Sequence, residues 1–220
     1  MIEIRRVLLA RVIQRFDLRG PAPYLPDLVR SLGERYAFAA MPASLDLTIS
    51  DPPKPTEFKH GRFARNGQQT VILNLSLYND GALIDTDVST AQTELVVADL
   101  LSWAEEQKLP MALVPPRFYI SQLELRIKGG GLERLAPGFR LAGRQITKFL
   151  TDYGINAKRY DVTSVFVNFD THEANPNAIQ PGPFQLERRA GVPFEEGIYF
   201  SQAPLKTPDH IVLLEQLDKL

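Results

Sequence analysis

The sequence predicts an α+β fold, with a mainly antiparallel sheet, helices packed on it and several long Pro-rich irregular segments. The predicted elements neither alternate strictly between strand and helix nor lack helices, which excludes the simple α/β and all-β classes. Residues 118–127 alternate apolar and polar side chains, as expected for an antiparallel strand covered on one face. Prolines cluster at 20–26, 42–55 and 176–183.

The first half of the chain predicts two helices followed by a meander of strands. Apolar residues of 4–16 recur at near-helical spacing and predict a helix, with a strand as the alternative. A second helix is predicted at 25–36. Asn66-Gly67, a dipeptide typical of tight hairpin turns, lies between two runs that predict paired strands. The predicted strands of this half are 45–49, 57–65, 69–78 and 82–86.

The middle of the chain predicts a central helix. Ser89 or Thr90 can cap its start, and Gln92 completes a capping box with Ser89. The helix continues to about Lys108 and is apolar on nearly all sides, which is typical of a buried helix.

The last third predicts two more helices and three strands. A helix at 138–153 has an apolar stripe formed by Phe139, Ala142, Ile146, Phe149 and Tyr153. Strands are predicted at 161–169, 184–189 and 197–202. The final helix begins at Thr207-Pro208, because Thr is a favoured N-cap residue and Pro suits the first helical position.

Composition excludes several classes of protein. The chain has 220 residues, 44% of them hydrophobic and 23% charged, with a formal net charge of −1 and no cysteine. These values exclude a disordered tail, a coiled coil and a strongly basic nucleic-acid-binding protein. The missing cysteines exclude a thiol nucleophile and Cys-ligated zinc. We expect a single domain over 1–220, with a candidate sub-domain boundary near 109–116, and a cytoplasmic location, because residues 1–16 lack the long apolar region of a secretory signal.

Positive charge is concentrated in the segment 117–159. It has nine basic and three acidic residues, a net charge of +6, so the rest of the chain carries −7. Arg140, Arg144 and Lys148 are four residues apart and share one helix face, away from the apolar stripe. With Lys128 and Arg134 they are candidate residues for binding nucleic acid or another anion. The alternative interpretation is a helix face in contact with solvent.

Evidence for catalysis in the sequence is weak. Asp170, His172 and Glu173 follow a predicted strand and are acid–base or metal candidates, but no HExxH motif accompanies them and turn formation explains the same residues. Gly129-Gly130-Gly131 lacks the further residues of a phosphate-binding loop. Ser201 follows a strand without the glycines of a nucleophile elbow, and its distance from His210 does not follow from the sequence. We predict no catalytic residue, cofactor or metal.

The leading hypothesis is therefore a non-catalytic subunit that works through protein–protein contacts, in a larger cytoplasmic complex or a homo-oligomer. Its expected partner is another protein or copies of itself, with nucleic acid as a second candidate and no membrane. Such a subunit should expose an apolar patch larger than a few hundred Å² when it is alone. The alternatives are polyanion binding through the basic helix face and a hydrolase or metal enzyme centred on Asp170 and His172.

Overall fold

The computed structural model describes residues 1–18, 25–42, 54–65, 67–129, 131–134, 137–156, 160–168, 170 and 180–219. Within these residues it shows the predicted α+β fold, an eight-stranded antiparallel sheet with four α-helices. The strands are β1 (Ile2–Leu18), β2 (Thr56–Arg65), β3 (Gln68–Tyr78), β4 (Gly81–Thr86), β5 (Met111–Ile127), β6 (Ser164–Val167), β7 (Phe184–Arg188) and β8 (Ile198–Ala203). The helices are α1 (Leu25–Tyr36), α2 (Thr90–Glu106), α3 (Pro137–Asp152) and α4 (Thr207–Leu217). The strand order is β2-β3-β4-β1-β5-β8-β7-β6.

The helix predicted at 4–16 is wrong, because these residues belong to β1. Burial alternates along the strand, with Ala10, Val12 and Phe16 inside the core. Between them, Arg11 donates two hydrogen bonds to Asp85 of β4 at 2.7 and 2.9 Å. The pairing with β4 runs antiparallel from Ala10↔Thr86 to Arg15↔Gly81. The strand alternative is therefore correct.

Most of the other predicted elements are present close to their expected ends. The hairpin joins β2 and β3 with Arg65 opposite Gln68. Ser89 caps α2, and its hydroxyl accepts from the Gln92 N–H at 3.2 Å. The strand predicted at 45–49 and most of the loop predicted at 171–183 lie outside the described residues. Residues 111–116, which belong to the candidate boundary near 109–116, form the first part of β5, and the single-domain expectation stays a prediction.

The chain divides into two compact units. The N-terminal unit comprises Val7–Ser121 and Leu205–Thr207; the C-terminal unit comprises Met1–Arg6, Gln122–Pro204 and Pro208–Leu220. The core of the N-terminal unit is built around α1, α2 and β2–β4, with Tyr36, Phe58 and Trp103 among its large buried side chains. The C-terminal unit buries Leu123, Leu125, Leu132, Leu186 and Leu214.

Candidate functional site

Helix α3 of the C-terminal unit exposes the apolar stripe that was predicted from its sequence. Phe139 is 68% exposed, Phe149 50% and Tyr153 72%. The cause is the way the helix packs. A Cβ atom on the buried Gly143 would lie 2.4 Å from the carbonyl oxygen of Tyr160, so the helix backbone rests directly on the backbone there. The stripe lies beside this contact and is left in solvent.

Strand β6 is apolar and lies at the edge of the sheet. Phe166 and Val167, which point to opposite faces of a strand, are each 59% exposed. Strand β6 pairs antiparallel with β7, from Ser164↔Glu187 to Val167↔Phe184. On its other side there is no strand within the described part of the chain.

A groove of about 580 Å³ runs between α3 and the segment 160–166. The helix contributes Phe139, Ala142, Gly143 and Ile146 to its wall. We use the name α3–β6 surface for the exposed apolar stripe of α3 together with the exposed apolar residues of 160–167; its residues are Phe139, Ala142, Ile146, Phe149, Tyr153, Tyr160, Phe166 and Val167. Of these, the groove is lined by Phe139, Ala142, Ile146, Tyr160 and Phe166. At about 200 Å² for each aromatic side chain, the exposed fractions of its five aromatic residues amount to about 600 Å². This sum over separate side chains exceeds a few hundred Å², and the expectation of one contiguous apolar patch stays a prediction.

The basic residues predicted for anion binding do not all form one site. Arg140, Arg144 and Lys148 are exposed on α3, as the helical spacing indicates. Lys128 is also exposed, but its Nζ lies 2.9 Å from Glu3 Oε2, and this hydrogen bond lowers the pKa of Glu3. Arg134 lies in a short 3₁₀ turn, and its side chain is outside the described part of the structure.

Of the three predicted acid–base or metal candidates, the structure describes one. Asp170 is exposed, whereas His172 and Glu173 lie outside the described residues. Among the residues that are described, no three His, Asp or Glu side chains come close enough together to hold a metal ion.

Ser201 and His210 lie closer together than the sequence could show. Ser201 Oγ is 2.8 Å from His210 Nε2, and both residues are fully buried. The Ser201 hydroxyl donates to the Gln185 carbonyl at 3.0 Å, so it accepts from His210 Nε2–H. A serine nucleophile needs the opposite arrangement, with the imidazole accepting the serine proton, and it needs access to substrate. This buried chain of hydrogen bonds therefore connects α4, β8 and β7 and does not form a nucleophilic site.

A second cavity of about 370 Å³ lies beside the glycine loop. Its wall includes Arg126 and Lys128, but also Asp161, Glu195 and Glu196. Arg126 Nε donates to the Glu196 carbonyl at 3.0 Å. Because charges of both signs line this cavity, it lacks the cationic lining that selects an anion such as phosphate.

None of the residues of the α3–β6 surface is among the described groups with clearly shifted pKa values. Burial raises the pKa of Tyr36, and its hydrogen bond to Asp99 raises it further. Burial alone would raise the pKa of Asp99, but hydrogen bonds from Arg35 and Tyr36 outweigh it and hold this pKa below its ordinary value. These groups form an ion-pair network between α1 and α2 and not an open catalytic cleft.

None of the helices in the described ranges is both long enough and apolar enough to cross a membrane. The chain was also compared with models of protein families, with curated proteins and with solved structures. None of these three comparisons finds a match.

Proposed function

We propose that this chain is a non-catalytic assembly subunit that binds another protein chain, or copies of itself, through the α3–β6 surface. The observation that supports this proposal is an amphipathic helix with its apolar stripe in solvent, next to an apolar strand at the edge of the sheet. An amphipathic helix normally buries such a stripe against its own core. Here, a partner would bury it.

The exposed aromatic area favours association. Removing apolar area from water is the main favourable contribution to most protein–protein association. It opposes the cost of lost translational and rotational freedom, although buried area alone does not set the affinity. Aromatic residues are also enriched among those that dominate binding energy in protein interfaces.

The test is the size of the complex in an extract of the cells that naturally produce the chain. An epitope-tagged chain, expressed at its natural level, is expected to elute from a gel-filtration column above its own mass of 24.7 kDa. The double variant Phe149→Asp plus Tyr153→Asp should elute at the monomer mass. The control Val212→Asp changes an apolar residue of α4 that is 49% exposed, and it should elute like the wild type.

Two results would contradict the proposal. One is a wild-type chain that elutes at 24.7 kDa. The other is a double variant that keeps the wild-type elution volume, which would show that the complex forms through a different surface. Circular dichroism of the purified variants distinguishes loss of binding from loss of folding.

The exposed cations of α3 favour a second function, contact with a polyanion. Arg144 and Lys148 lie in solvent on one face of a helix whose only acidic residue is Asp152. Binding to a nucleic acid through such residues weakens steeply as salt rises. Fluorescence anisotropy with a labelled DNA duplex and a labelled RNA strand measures the affinity at each salt concentration.

The matched control for polyanion binding changes the net charge of the chain by the same amount as the test variant. Arg144→Glu plus Lys148→Glu should reduce the affinity by at least tenfold at low salt. Arg62→Glu plus Lys219→Glu changes the net charge by the same amount at exposed positions elsewhere and should leave the affinity nearly unchanged. Equal effects of the two pairs would show that only the total charge matters, and no measurable wild-type affinity would reject the second function.

A further inference from the structure

We infer that the partner at the α3–β6 surface is a second copy of this chain, whose β6 pairs antiparallel with this β6 about a two-fold axis through Phe166. This inference rests on the proposed function and specifies its partner. The resulting dimer would join the edges of the two sheets into one continuous sheet.

The chemistry of the β6 edge favours pairing with another strand. Natural sheets protect their edge strands with charges, prolines, bulges or covering segments. The segment 162–168, Val-Thr-Ser-Val-Phe-Val-Asn, contains no charged residue and no proline. The sheet ends at β2 on its other side, and β2 carries protective features that 162–168 lacks. It contains four charged residues, its His60 has a positive φ of 56°, and Ala40 covers Lys59 with two backbone hydrogen bonds.

The backbone direction of β6 shows which groups are available at its outer edge. The Thr163 carbonyl accepts from Arg188 N–H at 2.8 Å, so the backbone groups of Thr163 point toward the β7 side. Successive residues of an antiparallel strand direct these groups to alternate sides. The N–H and C=O groups of Ser164 and Phe166 therefore point outward, where a second β6 could bond to them.

Two-fold symmetry limits the registers that this pairing can take. Residues directly opposite each other in an antiparallel pair lie on the same face, and a two-fold axis perpendicular to the sheet keeps each residue on its face. One residue must therefore face its own copy, and every register of this kind places outward backbone groups opposite each other. The register centred on Phe166 is favoured because it places two aromatic side chains opposite each other, and two Phe166 residues then exchange both of their backbone hydrogen bonds. Val165 of each copy then lies opposite Val167 of the other.

This register agrees with the side chains. It pairs aromatic with aromatic and β-branched with β-branched residues, and each such pair contributes about 0.2–1 kcal/mol. Over Ser164–Val167 it brings no charged residues together. Arg144 lies about 160° around α3 from Ile146, so its charge points away from the apolar stripe. The cations of the two α3 helices are therefore directed away from the stripes that the dimer would cover.

The exposed area also matches a dimer. A stable interface buries about 800 Å² on each partner. The five aromatic residues supply about 600 Å² of this, and Ile146 and Val167, which are 42% and 59% exposed, add to it. The perpendicular axis keeps both copies of each β6 side chain on one face of the joined sheet, with the Phe166 pair on one face and the Val167 side chains on the other.

The first experiment measures the mass of the purified full chain by light scattering after gel filtration, from about 1 to 100 μM. The wild type is expected at twice 24.7 kDa. Val167→Lys places a charge at the paired edge and should weaken the dimer by at least 100-fold. The control Val71→Lys introduces the same change at an exposed valine of β3 and should remain dimeric.

The second experiment tests the register. Because the chain contains no cysteine, an introduced cysteine is the only thiol that can form a disulfide. Opposed residues that exchange hydrogen bonds have Cα atoms about 5.5 Å apart, within the range that a disulfide spans. Mild oxidation should therefore link two copies of Phe166→Cys. Two copies of Val167→Cys are displaced from each other by two residues and should remain unlinked.

Each result has a defined meaning. A purified chain that is monomeric up to 100 μM would overturn the inference, but a large, patch-dependent complex in cell extract would leave the proposed function intact. A dimer that Val167→Lys does not weaken, or in which both cysteine variants link equally, would overturn the β6 pairing. A monomeric chain in both the extract and the purified sample would reject the inference and the proposed function together.

Discussion

Asp99 shows how one carboxylate can connect two helices of the N-terminal unit. It accepts two hydrogen bonds from the Arg35 guanidinium, at 2.8 and 2.9 Å, and one from the Tyr36 hydroxyl at 2.8 Å. Asp99 and Arg35 are both about three-quarters buried. Geometry of this kind is stronger than an isolated surface ion pair, because the guanidinium and the carboxylate are held by two parallel bonds.

Asp99→Asn should lower the free energy of unfolding by about 1–3 kcal/mol, because it removes the charge from a partly buried set of charged hydrogen bonds. Urea denaturation measures this change. The control Asp27→Asn removes the charge of an exposed pair with Arg30 on α1 and should cost at most about 0.5 kcal/mol. Equal losses in the two variants would show that the Asp99 network has no special contribution.

The same carboxylate should make stability depend on acid. Its pKa is lowered in the folded protein from an ordinary value of 3.8, so the unfolded chain binds more protons in this range. The stabilisation is complete well above pH 3.8 and is lost as pH falls through the lower, folded pKa. The wild type should therefore lose more unfolding free energy between pH 5 and pH 2 than Asp99→Asn. Parallel pH profiles of the two proteins would contradict this.

Ser201 provides a test for a serine nucleophile, which is separate from the alternative centred on Asp170 and His172. Its hydroxyl is fully buried and donates to the Gln185 carbonyl. A fluorophosphonate probe should therefore leave Ser201 unmodified, while a serine protease in the same tube is labelled. Mass spectrometry locates any adduct. A stoichiometric adduct on Ser201 would show that the pair with His210 is accessible and reactive.

At the scale of elements, the seating of α3 depends on one glycine. An added Cβ at Gly143 would lie 2.4 Å from the Tyr160 carbonyl oxygen and 3.2 Å from its carbon, and neither backbone atom can turn aside. Gly138, in the first turn of the same helix, has no atom within 4 Å of the corresponding position. The two glycines form a matched pair of positions.

Gly143→Ala should therefore lower the free energy of unfolding by about 1–3 kcal/mol, because overpacking exceeds the gain in helix propensity. Gly138→Ala should be neutral or slightly stabilising. Hydrogen exchange along α3, together with thermal melting, measures the stability of both variants. Equal stability of the two variants would show that α3 does not rest tightly on the backbone of Tyr160.

The elements also show what could be predicted from sequence. Ser89 and Thr207 are local signals, and α2 and α4 begin where these residues indicate. Residues 4–16 fit both helical and alternating patterns, and only the pairing of β1 with β4 decides between them. The apolar stripe of α3 could be predicted from the sequence. Its exposure depends on the contact between Gly143 and Tyr160, two residues that are 17 positions apart in the sequence.

The candidate site was predictable only in part. The basic row on α3 followed from helical spacing, and its exposure is observed. The role proposed for β6 was not predicted, although the absence of charge and proline from 162–168 is visible in the sequence. What the sequence could not show is that this strand is the last in the sheet, because strand order results from long-range pairing.

At the scale of the whole molecule, dimer formation predicts a melting temperature that depends on concentration. Association stabilises the folded state by mass action. For a chain of this length, each tenfold increase in concentration should raise the melting temperature by about 1–3 °C. Val167→Lys should melt at the same temperature at every concentration. A wild-type melting temperature that does not change with concentration would contradict a dimer that dissociates on unfolding.

The division of the chain into units also sets an order of events during synthesis. Met1–Arg6 belong to the C-terminal unit, but the rest of that unit begins at Gln122. At about 5–20 residues per second, the ribosome needs about 6–23 s to make the intervening 115 residues. During that time the N-terminal unit can largely form, whereas Met1–Arg6 cannot yet pack against the rest of the C-terminal unit. The unit that bears the exposed stripe and β6 is thus completed last, and the proposed pairing through β6 would have only a short time in which to join nascent chains on one messenger.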